Sequence, residues 1–157
     1  MTDAEESRIK KAKVKLARYC AYRERTQQEV RDKAYEIGLR KLEVETLISE
    51  LIRDNFINEA RFAKVYVSDK FRLNKWGRIK ILHGLNQKQL SRRCIDIGLK
   101  ELDELDYKGQ LEELLQKKAA TVDESLDVFV RRKKIVDYVI RKGYEPELSW
   151  SIAKRIL

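Results

Sequence analysis

The chain has 157 residues and carries 35 basic side chains against 26 acidic ones, a formal net charge of +9. A content of 43% hydrophobic residues excludes wholesale disorder, and no stretch offers the roughly 20 nearly uncharged apolar residues that a membrane span needs. Because residues 1–15 are charged throughout, the sequence predicts no secretory signal. We therefore expect a cytoplasmic protein that does not contact a membrane.

Side chains that carry catalytic or metal chemistry are few. Cys20 and Cys94 are too few for a disulfide scaffold or a four-thiolate zinc site, and their apolar neighbours at helical spacing predict reduced, buried thiols. His83 is the only histidine. The sequence has no glycine-rich phosphate loop and no hydrolase motif. We predict a protein that is not an enzyme, with no catalytic residue, no metal and no cofactor.

The first third of the chain predicts three helices. One proline and six glycines leave few helix breakers, which is typical of an all-α protein. A long helix is expected over residues 8–24. Thr26 and Glu29 form a capping box that opens the second helix, and Gly38 ends it in the left-handed conformation. The third helix shows an apolar stripe with spacing i, i+3, i+4, i+7, formed by Val44, Leu47, Ile48 and Leu51.

The same pattern then restarts twice. Asn58 is a good N-cap for a fourth helix, and Gly77 and Ser91 open two more. Trp76 has the spacing of a hydrophobic staple onto Ile81, although an aromatic ring among cations also suits stacking on an unpaired base. In the last third, apolar stripes run through residues 111–115 and 129–140. Gly143 ends the second of these, and Pro146 suits the first turn of a final helix.

These rounds superpose on one another. A shift of 105 positions places Gly38 on Gly143, and a shift of 51 aligns the first round with the second. The sequence therefore predicts an all-α fold of three tandem three-helix repeats, residues 1–57, 58–105 and 106–157, that form an elongated, curved rod. The alternative is one compact helical domain with a coincidental pattern. Gln89 replaces the turn glycine in the middle repeat, and Gly98 is expected to weaken its helix by about 1 kcal/mol relative to alanine.

The basic excess concentrates in the middle repeat. Residues 58–100 hold 11 basic and 3 acidic side chains, a net charge of +8. Such a surface favours an anionic partner, although a solvated helix end is the simpler alternative. The candidate binding residues are Lys70, Arg72, Lys75, Trp76, Arg78, Lys80, Arg92, Arg93, Arg131, Arg132, Lys133 and Lys134. The acidic residues at 101–106 form either a polar linker or a second contact surface.

Several segments resemble the RecX family, which regulates RecA in bacteria. Residues 58–63 (NEARFA) and 75–79 (KWGRI), with Tyr66, Arg72 and Leu85, resemble the middle repeat of that family. Residues 23–30 (RERTQQEV) resemble its first-repeat signature, and residues 141–144 (RKGY) resemble the turn of its third repeat. The sequence departs from the family pattern at Asn58, where an aspartate is usual, and at Gln89, where a glycine is usual.

The resemblance implies a regulator without catalytic residues that acts in recombination, DNA repair and the SOS response. RecX proteins lie in the groove of the RecA filament, inhibit ATP hydrolysis and strand exchange, and limit filament growth. The expected partners are thus the RecA filament and single-stranded or double-stranded DNA, and we expect a monomer. Two alternatives stay open: a stand-alone, sequence-independent nucleic-acid-binding protein, and a repeat scaffold for an acidic protein partner.

Overall fold

A computed structural model describes residues 2–157, and this part of the chain contains nine α-helices and no strand. The first three are α1 (Asp3–Tyr22), α2 (Gln27–Glu36) and α3 (Lys41–Arg53). The next three are α4 (Glu59–Arg72), α5 (Arg78–Asn86) and α6 (Arg92–Leu99). The last three are α7 (Glu104–Ala119), α8 (Val128–Arg141) and α9 (Pro146–Ile156).

Local capping explains most helix starts. Thr26, Asn58 and Ser91 each accept a hydrogen bond from the backbone N–H three residues later, which satisfies a donor that would otherwise have no partner. Helix α1 begins five residues earlier than residue 8 because Thr2 provides the same cap. Only half of the predicted capping box at Thr26 forms: Thr26 accepts from the Glu29 N–H, whereas the Glu29 carboxylate lies near Lys88, in the turn after α5.

The helices group in threes in chain order. The buried residues of α1–α3, of α4–α6 and of α7–α9 form three apolar clusters. We call these helix triplets the first, second and third units. The accessible surface is 10012 Å², whereas a compact globule of 18.6 kDa exposes about 8,200 Å². This excess is typical of an elongated molecule, and the prediction of three tandem three-helix repeats is confirmed.

The units are joined by short linkers. The chain leaves α3 at Arg53 and enters α4 at Glu59, and it leaves α6 at Leu99 and enters α7 at Glu104. The predicted boundary at residues 105 and 106 therefore falls in the first turn of α7. We propose residues 54–58 and 100–103 as the boundaries between the units.

The turn between the second and third helix of each unit keeps one backbone conformation. Gly38 and Gly143 have φ values of 95° and 100°, and Gln89 at the equivalent position has a φ of 58°. A left-handed residue at this position satisfies the last carbonyls of the preceding helix. The middle unit thus keeps the turn without its glycine.

Gly98 has a packing role that the sequence pattern did not show. It is buried where α6 crosses α4, and a Cβ atom at this position would lie 2.8 Å from Ala63 Cβ and 2.9 Å from the Ala63 carbonyl oxygen. The expectation that alanine would be the better residue considered the helix alone. Because α4 and α6 approach each other closely, alanine at position 98 is expected to destabilise the protein rather than stabilise it.

We expect Gly98→Ala to lower the free energy of unfolding by about 1–3 kcal/mol, because the added methyl group pushes α6 away from α4. Gly109→Ala is the matched control. Gly109 lies inside α7, and no atom lies within 4 Å of the place that a Cβ atom would take, so alanine there should raise stability by about 1 kcal/mol. Urea unfolding of the two variants measures both values, and equal effects would contradict the packing argument.

Candidate binding surface

Four cations at the junction of α4 and α5 have no carboxylate partner. Lys70 and Arg72 lie in the last turn of α4, Lys75 lies in the loop, and Lys80 lies in the first turn of α5. None of the four lies within 4.0 Å of a carboxylate among residues 2–157. We call these four residues the basic cluster. Because no ion pair holds these four charges within the described residues, they give this part of the surface a positive potential.

Trp76 lies among these cations. Its ring centroid is 4.8 Å from Lys70 Nζ and 4.6 Å from Lys80 Nζ. The half-buried indole also packs against the apolar cluster of the second unit. Trp76 therefore anchors the loop and holds two ammonium groups by cation–π attraction. Stacking of Trp76 on a base stays a prediction.

Arg78 is placed differently from its basic neighbours. Its guanidinium forms ion pairs with Glu145 and, at 2.7 Å, with Glu104, and it lies 4.2 Å from the centroid of the Tyr107 ring. Both carboxylates and the ring belong to the third unit. The sequence groups Arg78 with the candidate binding residues, whereas the structure shows that it joins two units. Any contact with a partner is additional to that role.

Backbone contacts reinforce this junction. The Gly77 N–H donates to the Lys142 carbonyl oxygen at 2.8 Å, and the Ile79 N–H donates to that of Gly143 at 2.9 Å. A Cβ atom on Gly77 would lie 2.4 Å from the backbone of Gly143. The same KWGRI segment that carries part of the basic cluster thus docks the second unit onto the turn that ends α8.

Two buried tyrosines of the third unit complete the junction. Tyr107 accepts a hydrogen bond from the Arg78 N–H at 2.9 Å and donates to Glu145. Tyr144 donates to the Lys75 carbonyl oxygen at 3.1 Å and accepts from Gln110. Burial raises the pKa of Tyr107 and raises the pKa of Tyr144 to about 12. Both phenols therefore hold their protons to a higher pH than an exposed tyrosine does.

Three of the six remaining predicted site residues are engaged by near neighbours. In α6, Arg92 pairs with Asp96 at 3.0 Å, and Arg93 is exposed in the same first turn. In α8, Arg131 donates to the Leu126 carbonyl oxygen.

The other three residues of the basic run in α8 differ from one another. Arg132 is partly buried, Lys133 pairs with Asp137 at 2.8 Å, and Lys134 is exposed. Of the candidates in α6 and α8, Arg93 and Lys134 are the exposed ones without an ion-pair partner in the described chain.

Helix α1 carries a further basic face that the candidate set did not include. Arg8 and Lys13 pair with glutamates of α3, whereas Lys11, Lys15 and Arg18 are exposed and unpaired within residues 2–157. Their spacing of four and three residues places the unpaired side chains on one face of the helix. That spacing was the available signal in the sequence.

Across residues 2–157, no helix is long and apolar enough to cross a bilayer. The same range contains no group of three or more His, Cys, Asp or Glu side chains arranged to hold a metal ion.

Comparison with known proteins agrees with this architecture. Residues 58–99 match the family model of the second three-helix domain of RecX. The regulatory protein RecX of Clostridium beijerinckii is 28% identical over 99% of this chain and 73% of its own length. That of Amycolatopsis mediterranei is 26% identical, over 97% and 86%. The crystal structure of RecX from Lactobacillus salivarius shares the fold with a TM-score of 0.85 and 21% identity, covering 94% of this chain and 96% of that one.

The fold and the surface define an all-α tandem-repeat protein whose middle unit presents unpaired cations. The matches to these relatives extend over all three units. The chain is therefore similar to RecX regulatory proteins over nearly its whole length, and its middle unit matches the second three-helix domain of RecX.

We expect Arg78→Ala to lower the free energy of unfolding by about 2 kcal/mol, because it leaves Glu145 and Tyr107 without their charged partner. Arg72→Ala is the control, since Arg72 is exposed and unpaired, and it should change stability by less than about 0.5 kcal/mol. Thermal unfolding of both variants measures the difference. Equal losses would show that Arg78 does not hold the second and third units together.

We expect the stability of the protein to fall as the pH rises from about 10 to about 12. The unfolded phenol ionises near its usual pKa of 10, whereas Tyr144 holds its proton up to a pKa of about 12. The stabilising contribution is thus complete below pH 10 and is lost above it. In urea unfolding at pH 9 and pH 11, Tyr144→Phe should lose less stability than the unmodified protein, and an identical loss would contradict this assignment.

Proposed function

We propose that this protein is a non-enzymatic regulator that binds the RecA nucleoprotein filament in its groove and inhibits ATP hydrolysis, strand exchange and filament growth. The observation that carries the proposal is the basic cluster, four cations without a carboxylate partner on the middle unit of an elongated chain that is similar to RecX proteins. The location that follows from this partner is the cytoplasm, where RecA filaments assemble on DNA.

The shape of the protein suits an extended partner. Three units in a row offer several small contacts along one molecule, and such contacts add because each one raises the effective concentration of the next. Phosphates exposed in the groove of a nucleoprotein filament form an anionic lattice, and cations that meet it release counterions. The rigid docking of the second unit onto the third presents the basic cluster in a fixed orientation to such a lattice.

Inhibition follows from occupancy of the groove. A molecule that fills the groove excludes the second DNA strand, which prevents strand exchange. A molecule that touches neighbouring RecA subunits also resists the subunit movements that accompany ATP turnover. Neither effect requires a catalytic side chain in the regulator.

The direct test measures ATP hydrolysis by RecA on single-stranded DNA as this protein is added. We expect hydrolysis to slow at substoichiometric amounts, because one bound molecule spans more than one subunit. Unchanged hydrolysis at saturating amounts would overturn the proposal.

The triple variant Arg72→Gln, Lys75→Gln, Lys80→Gln tests the basic cluster. We expect it to inhibit RecA only at higher concentrations while its thermal stability stays near that of the unmodified protein, because Arg72 and Lys75 are exposed and glutamine at position 80 keeps most of the lysine stem. A control variant removes the same charge elsewhere, through Lys41→Gln, Lys108→Gln and Lys154→Gln, which are exposed lysines outside the cluster. Equal loss of inhibition in both variants would show that only the total charge matters.

Co-sedimentation with RecA filaments and with bare single-stranded DNA, at matched salt, separates this function from stand-alone nucleic-acid binding. If the basic cluster contacts phosphates of a single strand, the triple variant should reduce the slope of log affinity against log salt by about 2. Equal affinity for bare DNA and for filaments would favour the stand-alone alternative.

A further inference from the structure

The two joints between the units are built from different interactions. We propose that the joint between the first and second units is an ionic hinge, about which the first unit moves relative to one rigid body formed by the second and third units. This inference concerns the molecule itself and holds whichever partner it binds.

The second and third units share an apolar core. Phe71 and Leu102 pack against the buried clusters of both units, and Phe71 stacks on Tyr107 with ring centroids 5.9 Å apart. Two backbone–backbone hydrogen bonds cross the joint at Gly77 and Ile79. Arg78 adds ion pairs to this joint. The apolar burial, the backbone pairing and the close glycine contact do not depend on salt, so the joint keeps its geometry when those ion pairs are screened.

The first and second units, in contrast, are joined through side chains. Glu24 pairs with Arg61 at 2.7 Å, Glu59 accepts from the Gln27 N–H at 3.0 Å, and Lys88 lies 3.7 Å from Glu29. Within residues 2–99, no backbone–backbone hydrogen bond crosses this joint outside the linker, and the clusters of the two units share no residue. Ion pairs at such partly exposed positions are weakened when salt screens them, whereas buried apolar contacts are not.

The contact between the first and second units also leaves one buried polar atom without a hydrogen bond. Glu29 Oε2 is buried and lacks a hydrogen-bond partner, and a buried acceptor without a donor disfavours the arrangement that buries it. Opening the joint would return that oxygen to water.

Open space flanks the contact. A cleft of about 230 Å³ lies beside Glu24, Phe62 and Lys88. A second cleft, of about 500 Å³, lies beside Gln27, Asn58 and Ser91. The first unit can therefore tilt without a steric clash on these two sides.

A hinge at this place changes the spacing between two unpaired basic surfaces. The face of α1 with Lys11, Lys15 and Arg18 moves with the first unit, whereas the basic cluster stays fixed on the body of the second and third units. Rotation would let one molecule adjust that spacing to an anionic partner.

Distance measurements between pairs of spin labels test the hinge in the full chain. Exposed residues in the three units provide the sites: Ser49→Cys with Gln87→Cys reports on the first joint, and Gln87→Cys with Ser151→Cys reports on the second. Cys94→Ser removes the half-buried native thiol, and Cys20 stays unlabelled because it is buried and burial raises its thiol pKa.

We expect the distance distribution across the first joint to broaden when salt rises from 0.1 M to 1 M, since the screening length falls from about 10 Å to about 3 Å. The distribution across the second joint should stay narrow and unchanged. Circular dichroism at both salt concentrations verifies that helix content is retained. Equal widths for the two joints at 1 M salt would overturn the hinge.

A matched pair of variants separates the hinge from general salt effects. Arg61→Gln removes the main ion pair across the joint, whereas Arg8→Gln removes an ion pair with Glu43 inside the first unit. We expect Arg61→Gln to broaden the first-joint distribution already at 0.1 M salt and Arg8→Gln to leave it narrow. Indistinguishable distributions for the two variants would contradict the proposal, and RecA inhibition enters neither readout.

Discussion

The close approach of the Gly77 and Gly143 backbones is the constraint on which the candidate surface depends. Without a Cβ atom on Gly77, the start of α5 reaches the turn after α8, and two backbone hydrogen bonds form across the contact. Arg78 is then delivered to Glu104 and Glu145, and the loop before it leaves Lys75 exposed. One short segment thus fixes the orientation of two units and the position of the cations that lie beside it.

Local signals carried most of the prediction of the fold. Caps at Thr26, Asn58 and Ser91 act over three residues, so a sequence shows them directly. The junction between the second and third units depends instead on partners 26 and 67 positions from Arg78. The packing of the repeats against one another decides whether such distant residues meet. A sequence therefore does not distinguish an arginine that joins two units from an arginine that binds a ligand.

The middle unit departs from the repeat pattern where its packing is closest. Gly98 of α6 lies against Ala63, and Gly84 of α5 faces the hydroxyl group of Tyr66, so two glycines from different helices meet α4. Because glycine has no side chain, α5 and α6 can both approach α4 closely. An alignment of the repeats shows these glycines only as mismatches. Close packing holds α4 in place, and with it the last turn that carries Lys70 and Arg72. Charges on a rigidly held helix have a better defined orientation than charges on a mobile one.

Charge balance explains which cations remain unpaired. The middle unit has few carboxylates of its own, and uncompensated like charges destabilise a compact unit. Its neighbours supply the missing partners: Glu24 and Glu29 of the first unit approach Arg61 and Lys88, and the third unit supplies two glutamates to Arg78. Neighbouring units therefore neutralise the cations that face the joints. The basic cluster forms no ion pair with either carboxylate set, so its positive charge remains open to an anion from outside the chain.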